Sequence, residues 1–429
     1  MNKPCDDIPR VMLLSGTAPG TGNVGEIYLR DLCKHYPQGE ICCFALIPNS
    51  MAVSQATELD GLPIMIRKGR REHVYASLVA KTGRLIALLA SEYLLRKHVR
   101  RMADEAVAFA REHEVEVIWA VLDSPIMIYL AEEVHSRLGL PMVSHVWDVP
   151  EYFSETFAVL VWQQKRLMAS FARVLGNSLR CGVISEAMAD EYRTEYGIDP
   201  VVIRYGVEAL TTTHVREREY ATESFVIGFA GSIYSSDAWD ALLHGLQGIN
   251  WQIDGRPVVI RVFGPHLLLN THAPVHVEYM GWRSSKQTVE MLANVDICYL
   301  PYWFDPARRQ EVRLAFPSKM STYLGAGKPV FFHGPEYASV TAFMARFPAG
   351  VCCHSLDEAE IVGCLKQLAG DDLFYRQAIN AAAEAMKEEL STEVFLNRFA
   401  TMIGIEACQL ITKVEVASTP AAPEGSDAG

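Results

Sequence analysis

Two glycine-rich turns carry the residue types best suited to hold an anion. The first runs Gly16-Thr-Ala-Pro-Gly-Thr-Gly-Asn-Val-Gly25, where Gly20, Gly22 and Gly25 are spaced G-x-G-x-x-G behind the apolar run Val11–Ser15. Glycines let the backbone turn tightly against a ligand, and the free N–H groups opening a following helix attract negative charge. Three readings are open for this loop and its Gly20, Gly22 and Asn23: a contact to a ligand between domains, a dinucleotide site of an NAD(P)-dependent oxidoreductase, or a structural turn. A dinucleotide site needs an acid at the end of the second strand for the ribose hydroxyls, and that strand ends Leu46-Ile-Pro-Asn49 without one. The second turn is Phe225-Val-Ile-Gly-Phe-Ala-Gly-Ser-Ile-Tyr234, a strand ending in small residues with a helix soon after Ser235-Ser-Asp237. Such a turn presents backbone donors suited to a diphosphate.

Cations follow further on. Arg308, Arg309 and Arg313 share a loop with Glu311, just ahead of Lys319. That loop reads either as a basic edge of a cleft or as a surface loop tied by Glu311 to an arginine. No D-x-D sequence is available to hold Mg²⁺ or Mn²⁺ through paired carboxylates, so metal-independent chemistry is expected. The 10 cysteines include no C-x-x-C pair, and Cys42-Cys43 and Cys352-Cys353 sit in strand-like runs, which points to reduced core thiols.

The elements that must position these residues alternate between short apolar runs and amphipathic helices. In the first half the strands are Val11–Ser15, Ile41–Ile47, Val115–Val121, Met142–Val146 and Val183-Ile184, with helices at Gly25–His35, Ile128–Leu138 and Glu186–Tyr196. The alternation restarts at Phe225–Ala230 and continues through Val258–Phe263, His276–Tyr279, Ile297–Leu300, Pro329–His333 and Gly350–His354. Helices are expected at Ala238–Leu246, Ser285–Ala293, Lys319–Gly325 and Ala338–Phe347. Apolar strands separated by helices imply parallel sheets covered on both faces. At 429 residues, two α/β domains of roughly 200 residues each are expected. The divisions predicted are a first domain over 1–205, a linker over 206–224, a second domain over 225–390, a C-terminal helix over 391–412 packing back on the first domain, and a disordered tail over 413–429.

The order of motifs in the second half resembles that of GT-B fold glycosyltransferases, specifically the retaining family 4 group. The resemblance rests on Phe225–Tyr234, Val262-Phe-Gly-Pro265, Val277-Glu-Tyr-Met-Gly-Trp282, Ala293-Asn-Val-Asp-Ile-Cys-Tyr-Leu-Pro301 and above all Phe316-Pro-Ser-Lys-Met-Ser-Thr-Tyr-Leu-Gly-Ala-Gly-Lys-Pro-Val330. In the first half, Gly182-Val-Ile-Ser-Glu-Ala-Met188, Ile203-Arg-Tyr-Gly-Val-Glu208 and Val146-Trp-Asp-Val-Pro-Glu151 add weaker matches. It implies two Rossmann-like domains facing a cleft, and a retaining hexosyltransferase that uses a UDP- or GDP-linked sugar as co-substrate, with no separate cofactor. It further implies Gly231, Ser232 and Tyr234 beside the donor diphosphate, Phe263 and Gly264 at the base pocket, and Ser318, Lys319 and Thr322 near the phosphates and sugar, with Glu311 and Arg313 nearby. On the acceptor side Asp148 and His145 are the polar residues to test as catalytic, and His145 reads equally as a core histidine in a strand. A Lys at position 319 makes chemical sense, because a departing nucleoside diphosphate gathers negative charge and needs a fixed cation. The chain departs from the family at Leu314 and Thr322, where many relatives carry glutamates, and at Ser232, where Arg is common. A non-catalytic binding or partner protein with this fold is therefore a second reading.

A net charge of −12 argues against general nucleic-acid binding. No run of about 18 apolar residues predicts a transmembrane helix, and Met1–Arg10 lacks the charge order of a signal peptide. A cytoplasmic protein is expected. Arg67, Lys68, Arg70, Arg71, Lys81, Arg84, Arg96, Lys97, Arg100 and Arg101 surround apolar segments at Leu85–Ala90 and Tyr93–Leu95. A basic amphipathic helix over 67–101 reads as a face for the anionic inner surface of a membrane or as an ordinary solvated helix. The membrane reading makes a glycan or lipid-linked acceptor natural, as in bacterial surface polysaccharide assembly.

Overall fold

The computed structural model describes residues 8–49, 59–69, 84–150, 152–153, 161–210, 224–233, 235–264 and 274–410. The first sheet contains β1 (Val11–Ser15), β2 (Ile41–Pro48), β3 (Ile64–Gly69), β4 (Val117–Val121), β5 (Met142–His145), β6 (Arg180–Val183) and β7 (Val201–Val202), in the spatial order β3-β2-β1-β4-β5-β6-β7. All its pairings are parallel. Its helices are α1 (Val24–His35), α2 (Arg84–Glu112), α3 (Pro125–Leu138), α4 (Val161–Asn177) and α5 (Glu186–Tyr196). The uninterrupted apolar run of β1 follows from this cover: Met12 and Leu14 point into one core, Val11 and Leu13 into the other.

The second sheet repeats the plan with β8 (Phe225–Ala230), β9 (Gln252–Ile253), β10 (Arg256–Phe263), β11 (Val277–Gly281), β12 (Ile297–Pro301), β13 (Val330–His333) and β14 (Gly350–Cys353). Six of these lie in the parallel order β11-β10-β8-β12-β13-β14, and β9 pairs antiparallel with β10. The accompanying helices are α6 (Ser236–Gly248), α7 (Ser285–Leu292), α8 (Arg309–Leu314), α9 (Lys319–Gly325), α10 (Ser339–Arg346), α11 (Glu358–Gly370), α12 (Asp372–Ala385) and α13 (Thr392–Ile403). The α/β doubly wound class predicted from alternation is what the chain forms. In both sheets the strand order reverses beside the first strand, between β1 and β4 and between β8 and β12. Ligands of open α/β sheets bind at such switch points, beyond the carboxyl ends of the strands.

Two local expectations change. Arg67 and Lys68 belong to β3 and not to a helix, since the isoleucines at 64 and 66 pair with β2; the basic helix over 67–101 is instead α2 from Arg84 onward. Arg309, Glu311 and Arg313 lie on the short helix α8 and not in a loop, after a 3-10 turn at Pro306–Arg308 whose cap is Asp305. Tyr234, most of the expected linker and the tail over 413–429 lie outside the described residues.

Two crossings join the halves side by side. Val207 bridges to Ser391 in parallel, and its N–H donates to Leu390 O at 3.0 Å. A Cβ on Gly206 would come 2.4 Å from Ser391 O, so the two backbones touch there. The neighbouring buried carboxylate of Glu389 accepts from Arg204 at 2.9 Å, Arg346 at 2.7 Å and Arg398 at 2.6 Å. Beyond the crossing, α13 inserts Phe395, Phe399 and Met402 into the first-domain core beside Leu13 and Trp119.

Candidate functional site

At the switch point of the second sheet, the strand ends are built from glycine. Gly231, Gly264 and Gly281 close β8, β10 and β11 with φ of +91°, +142° and +72°, conformations that an L side chain rarely adopts. Gly231 N–H donates to Phe263 O at 2.7 Å, and a Cβ on Gly264 would approach the Gly231 backbone to 3.2 Å. Tyr323 fixes the end of β8, its hydroxyl accepting from Ala230 N–H at 3.0 Å. Into this low rim reaches the side chain of Lys319, at the start of α9. Its Cε and Nζ lie 3.2 Å from where a Gly231 Cβ would stand, and its amine is 5.7 Å from the Phe229 ring centroid. Lys319 is buried, and that burial pulls its pKa down to about 7. An amine held this way takes up a proton most readily when an anion arrives beside it.

The first-domain side of the cleft is supplied by the chain after β1 and β5, with Ile184, Arg204 and Tyr205 beside them. Asp148, three residues beyond β5, faces the cleft with its pKa raised by burial to about 6. His145 is fully buried behind it. One ring nitrogen, Nε2, meets the Tyr28 hydroxyl at 3.1 Å, the ring packs near Trp119 and Trp147, and burial pushes its pKa down to about 3, so it is neutral. Asp123, just past β4, was not singled out from the sequence. Thr17 Oγ1 donates to its Oδ2 at 3.2 Å, and a Cβ on Gly16 would strike Oδ1 at 2.4 Å. Burial first, and the charge of Asp148 in addition, raise its pKa to about 7. An acid at the carboxyl end of the strand flanking the switch point is a signal the sequence did carry.

The Gly20–Gly25 loop is occupied by its own chain. Glu26, buried in the first turn of α1, accepts from Gly22 N–H at 2.8 Å and from Asn23 Nδ2 at 2.7 Å, while Asn23 caps the helix by accepting from Glu26 N–H at 3.0 Å. The glutamate thus stands where an anion would sit at this helix start.

Between the domains lies a cavity of about 390 Å³. Its walls carry Tyr28, Trp147, Tyr152 and Tyr205 from the first half and Tyr302, Trp303 and Phe316 from the second, with Asp148, Glu311, Ser318 and Ser321 among them. Glu311 accepts from Arg308 Nη1 at 2.9 Å, and the Arg308 guanidinium lies between the rings of Trp303 and Tyr152 at 5.3 and 5.4 Å. Arg313 points to the domain contact, where it pairs with Glu191. Leu314 is buried, and its carbonyl accepts from Ser185 Oγ at 2.5 Å. Thr322 is partly exposed and off the wall. Among the described residues no group of three or more His, Cys, Asp and Glu could hold a metal.

No family model matches the sequence, and no curated protein matches it. Solved structures do. HepE from Anabaena, in complex with UDP and glucose, superposes with a TM-score of 0.64 at 14% identity, over 92% of this chain and 100% of that one. The lipopolysaccharide outer core galactosyltransferase WaaB gives 0.61 at 13% identity over 92% and 99%. Sucrose-phosphate synthase from Thermosynechococcus elongatus gives 0.62 at 10% over 92% and 98%. These neighbours are GT-B glycosyltransferases. The chain has the GT-B fold. In GT-B terms, Gly231 and Lys319 stand at the switch point of the second domain, and the cavity that Asp148 and Ser318 line is the interdomain cleft.

Proposed function

We propose that this chain is a retaining, metal-independent glycosyltransferase that moves a hexose from a UDP- or GDP-linked donor to a glycan or lipid-linked acceptor in bacterial surface polysaccharide or glycolipid synthesis. The observation that carries this reading is the buried Lys319 amine against the Gly231 turn at the end of β8. A diphosphate laid across Gly231 and Ser232 would find a turn free of side chain at Gly231 and the lysine at its side, and the base would rest by Phe263 and Gly264. Charge that develops on the leaving diphosphate is then met by a fixed group in a site with little water. Ser318 and Glu311, on the cavity wall, are suited to the hydroxyls of the transferred sugar, and Asp148 to the acceptor hydroxyl. In the reaction the bond between the anomeric carbon and the diphosphate oxygen breaks, the acceptor oxygen bonds to the same carbon from the same face, and its proton leaves to a diphosphate oxygen or to Asp148. His145 supports this wall from behind through Tyr28.

On α2 the exposed Tyr93 and Leu94 adjoin the exposed Lys97 and Arg100, a combination suited to an anionic leaflet. This favours a lipid-linked acceptor at the inner membrane face. The test of the enzymatic reading is a panel of UDP-, GDP- and ADP-sugars, with release of the nucleoside diphosphate as readout. Turnover of one or more is expected; folded protein that releases diphosphate from none of them sinks the proposal.

A further inference from the structure

The helix α8 is six residues long, too short to hold its own place, and it is built into both domains. Val312 belongs to the second-domain core, whereas Leu314 is buried with the first-domain core, where its carbonyl accepts from Ser185 Oγ. One face of α8 is gripped from α5. Glu191 accepts from Gln310 Nε2 and pairs with Arg313, and Arg313 Nη2 donates to Gln310 Oε1 at 3.2 Å. Residues three apart share a helix face, while position 311 is turned by about 100° from 310 and about 160° from 313. Glu311 accordingly stands off the clasp and lines the cavity. Arg308 Nη1 donates to it at 2.9 Å from beside the Trp303 and Tyr152 rings. A carboxylate accepts at both oxygens, so this bond orients Glu311 without exhausting it. The diphosphate side is held by other means: Met320, Tyr323 and Leu324 of α9 sit in the second-domain core, and the Tyr323 hydroxyl accepts from Ala230 N–H.

We infer that Glu191 is a positioning residue for the transferred sugar: from the first domain it sets the rotation of α8, and so the aim of Glu311 into the cleft. The sugar-recognising part of the donor site is then complete only while α8 stays docked on α5. This rests on the glycosyltransferase reading above, with Glu311 at a hydroxyl of the transferred sugar. A displacement of about 1 Å in a group that orients the reacting sugar can cost roughly a hundredfold in rate. Loss of the clasp should therefore be felt by the sugar and not by the nucleoside diphosphate, because Gly231 and Lys319 keep their places.

The test uses the full chain and whichever donor the nucleotide-sugar panel shows to be turned over. Glu191→Ala is expected to lower kcat/KM for that donor about tenfold or more, and to leave the affinity for the nucleoside diphosphate alone, measured calorimetrically, within about twofold. Glu191→Gln, which can still accept from Gln310 and Arg313, should keep most of the rate. Because Glu191 acts through Glu311, adding Glu191→Ala to Glu311→Gln should cost little more than Glu311→Gln by itself. Arg313→Met removes one arm of the clasp and should give a milder form of the same pattern, which keeps the test open if Glu191→Ala melts below the assay temperature. Wild-type kinetics in Glu191→Ala, an equal loss for donor and nucleoside diphosphate, or additive losses with Glu311→Gln each overturn the inference. Failure of the wild type to release diphosphate from any donor is a different result, and it removes the glycosyltransferase reading together with what rests on it.

Discussion

Lys319 and Gly231 are made for one another: the lysine's Cε and Nζ lie 3.2 Å from the point where any side chain on Gly231 would begin. The glycine leaves the space that the amine uses. Burial lowers the Lys319 pKa to about 7, so keeping the proton costs more here than it does in water.

That shift predicts a pH dependence of stability and a loss of turnover. The unfolded lysine keeps its proton up to its ordinary pKa, whereas the folded one releases it near 7. Between those values the unfolded chain binds more protons, so stability rises with pH across that window, and the full penalty is present below pH 7. Lys319→Met should therefore flatten the rise of stability between about pH 7 and pH 10 that the wild type shows. The same variant should lose roughly 10²–10³ in kcat. Thermal melts at several pH values and single-donor kinetics check both; a variant with the wild-type pH dependence of stability and full activity contradicts the role.

Gly231→Ala attacks the same contact from the other side. Its φ of +91° and the 3.2 Å approach to Lys319 make an alanine strained by about 1–2 kcal/mol and push the amine from the rim. The expected outcome is weaker diphosphate binding, measured calorimetrically, with only a small fall in melting temperature.

Asp148 should set the acidic limb of the rate profile. Its folded pKa of about 6 is above that of an exposed carboxyl, so the group is ionised and able to accept a proton only above that pH. kcat/KM is expected to rise through about pH 6 and then level. Asp148→Asn should remove the limb and cost about 10²–10⁴ in rate. The sign for stability is the reverse: the folded carboxyl holds its proton where the unfolded one has lost it, so its contribution declines as pH rises from about 4 to 6. The asparagine variant should gain stability relative to wild type at pH 8 and not at pH 4. A profile with the same limb in both proteins assigns it to another group, with Asp123 the nearest alternative.

What could be read from the sequence was what repeats locally. Parallel strands buried on both faces, such as β1 and β8, show as continuous apolar runs, and the class of fold follows from their alternation with helices. β3 escaped because it is an edge strand in which isoleucines stand beside Arg67 and Lys68. α8 escaped because six residues, four of them polar, show no apolar period. Lys319, Ser318 and Glu311 stood out by type and order, but the meeting of Ser318 and Glu311 with Asp148 around one cavity depends on how two sheets face each other, which no local spacing encodes. Asp123 and Gly16 are likewise joined only through the adjacency of β1 and β4. The Arg204–Glu389 pair is invisible for the same reason: it forms only when the last helix returns to the first domain.

That pair yields a stability prediction. Glu389 is buried among Arg204, Arg346 and Arg398, so Glu389→Gln removes the charge the three guanidiniums share and leaves Glu186 to Arg204 and Glu388 to Arg346. Removing one partner from a buried charged cluster costs about 3–5 kcal/mol, and urea unfolding should report a loss of that order. Arg204→Met should cost less in the Glu389→Gln background than in wild type, and the difference in a double-mutant cycle measures their coupling. Additive effects would mean that the crossing is held by backbone contact at Val207 and Ser391 alone.

The exposed end of α2 completes the set. Tyr93 and Leu94 give apolar surface, and the neighbouring Lys97 and Arg100 give charge, within a chain whose net charge is −12. Attraction by general electrostatics would be repulsive for the molecule as a whole, so binding must be local to this face. Each cation near an anionic leaflet contributes about 1 kcal/mol. Reversing both in Lys97→Glu with Arg100→Glu should abolish sedimentation with vesicles of one part phosphatidylglycerol to two parts phosphatidylcholine, and Tyr93→Ser with Leu94→Ser should weaken it with less dependence on salt. Wild type should not sediment with phosphatidylcholine alone. Binding that persists after the charge reversal places the membrane contact elsewhere, whereas no sedimentation of the wild type removes the membrane from the proposal and leaves a glycan acceptor free in solution.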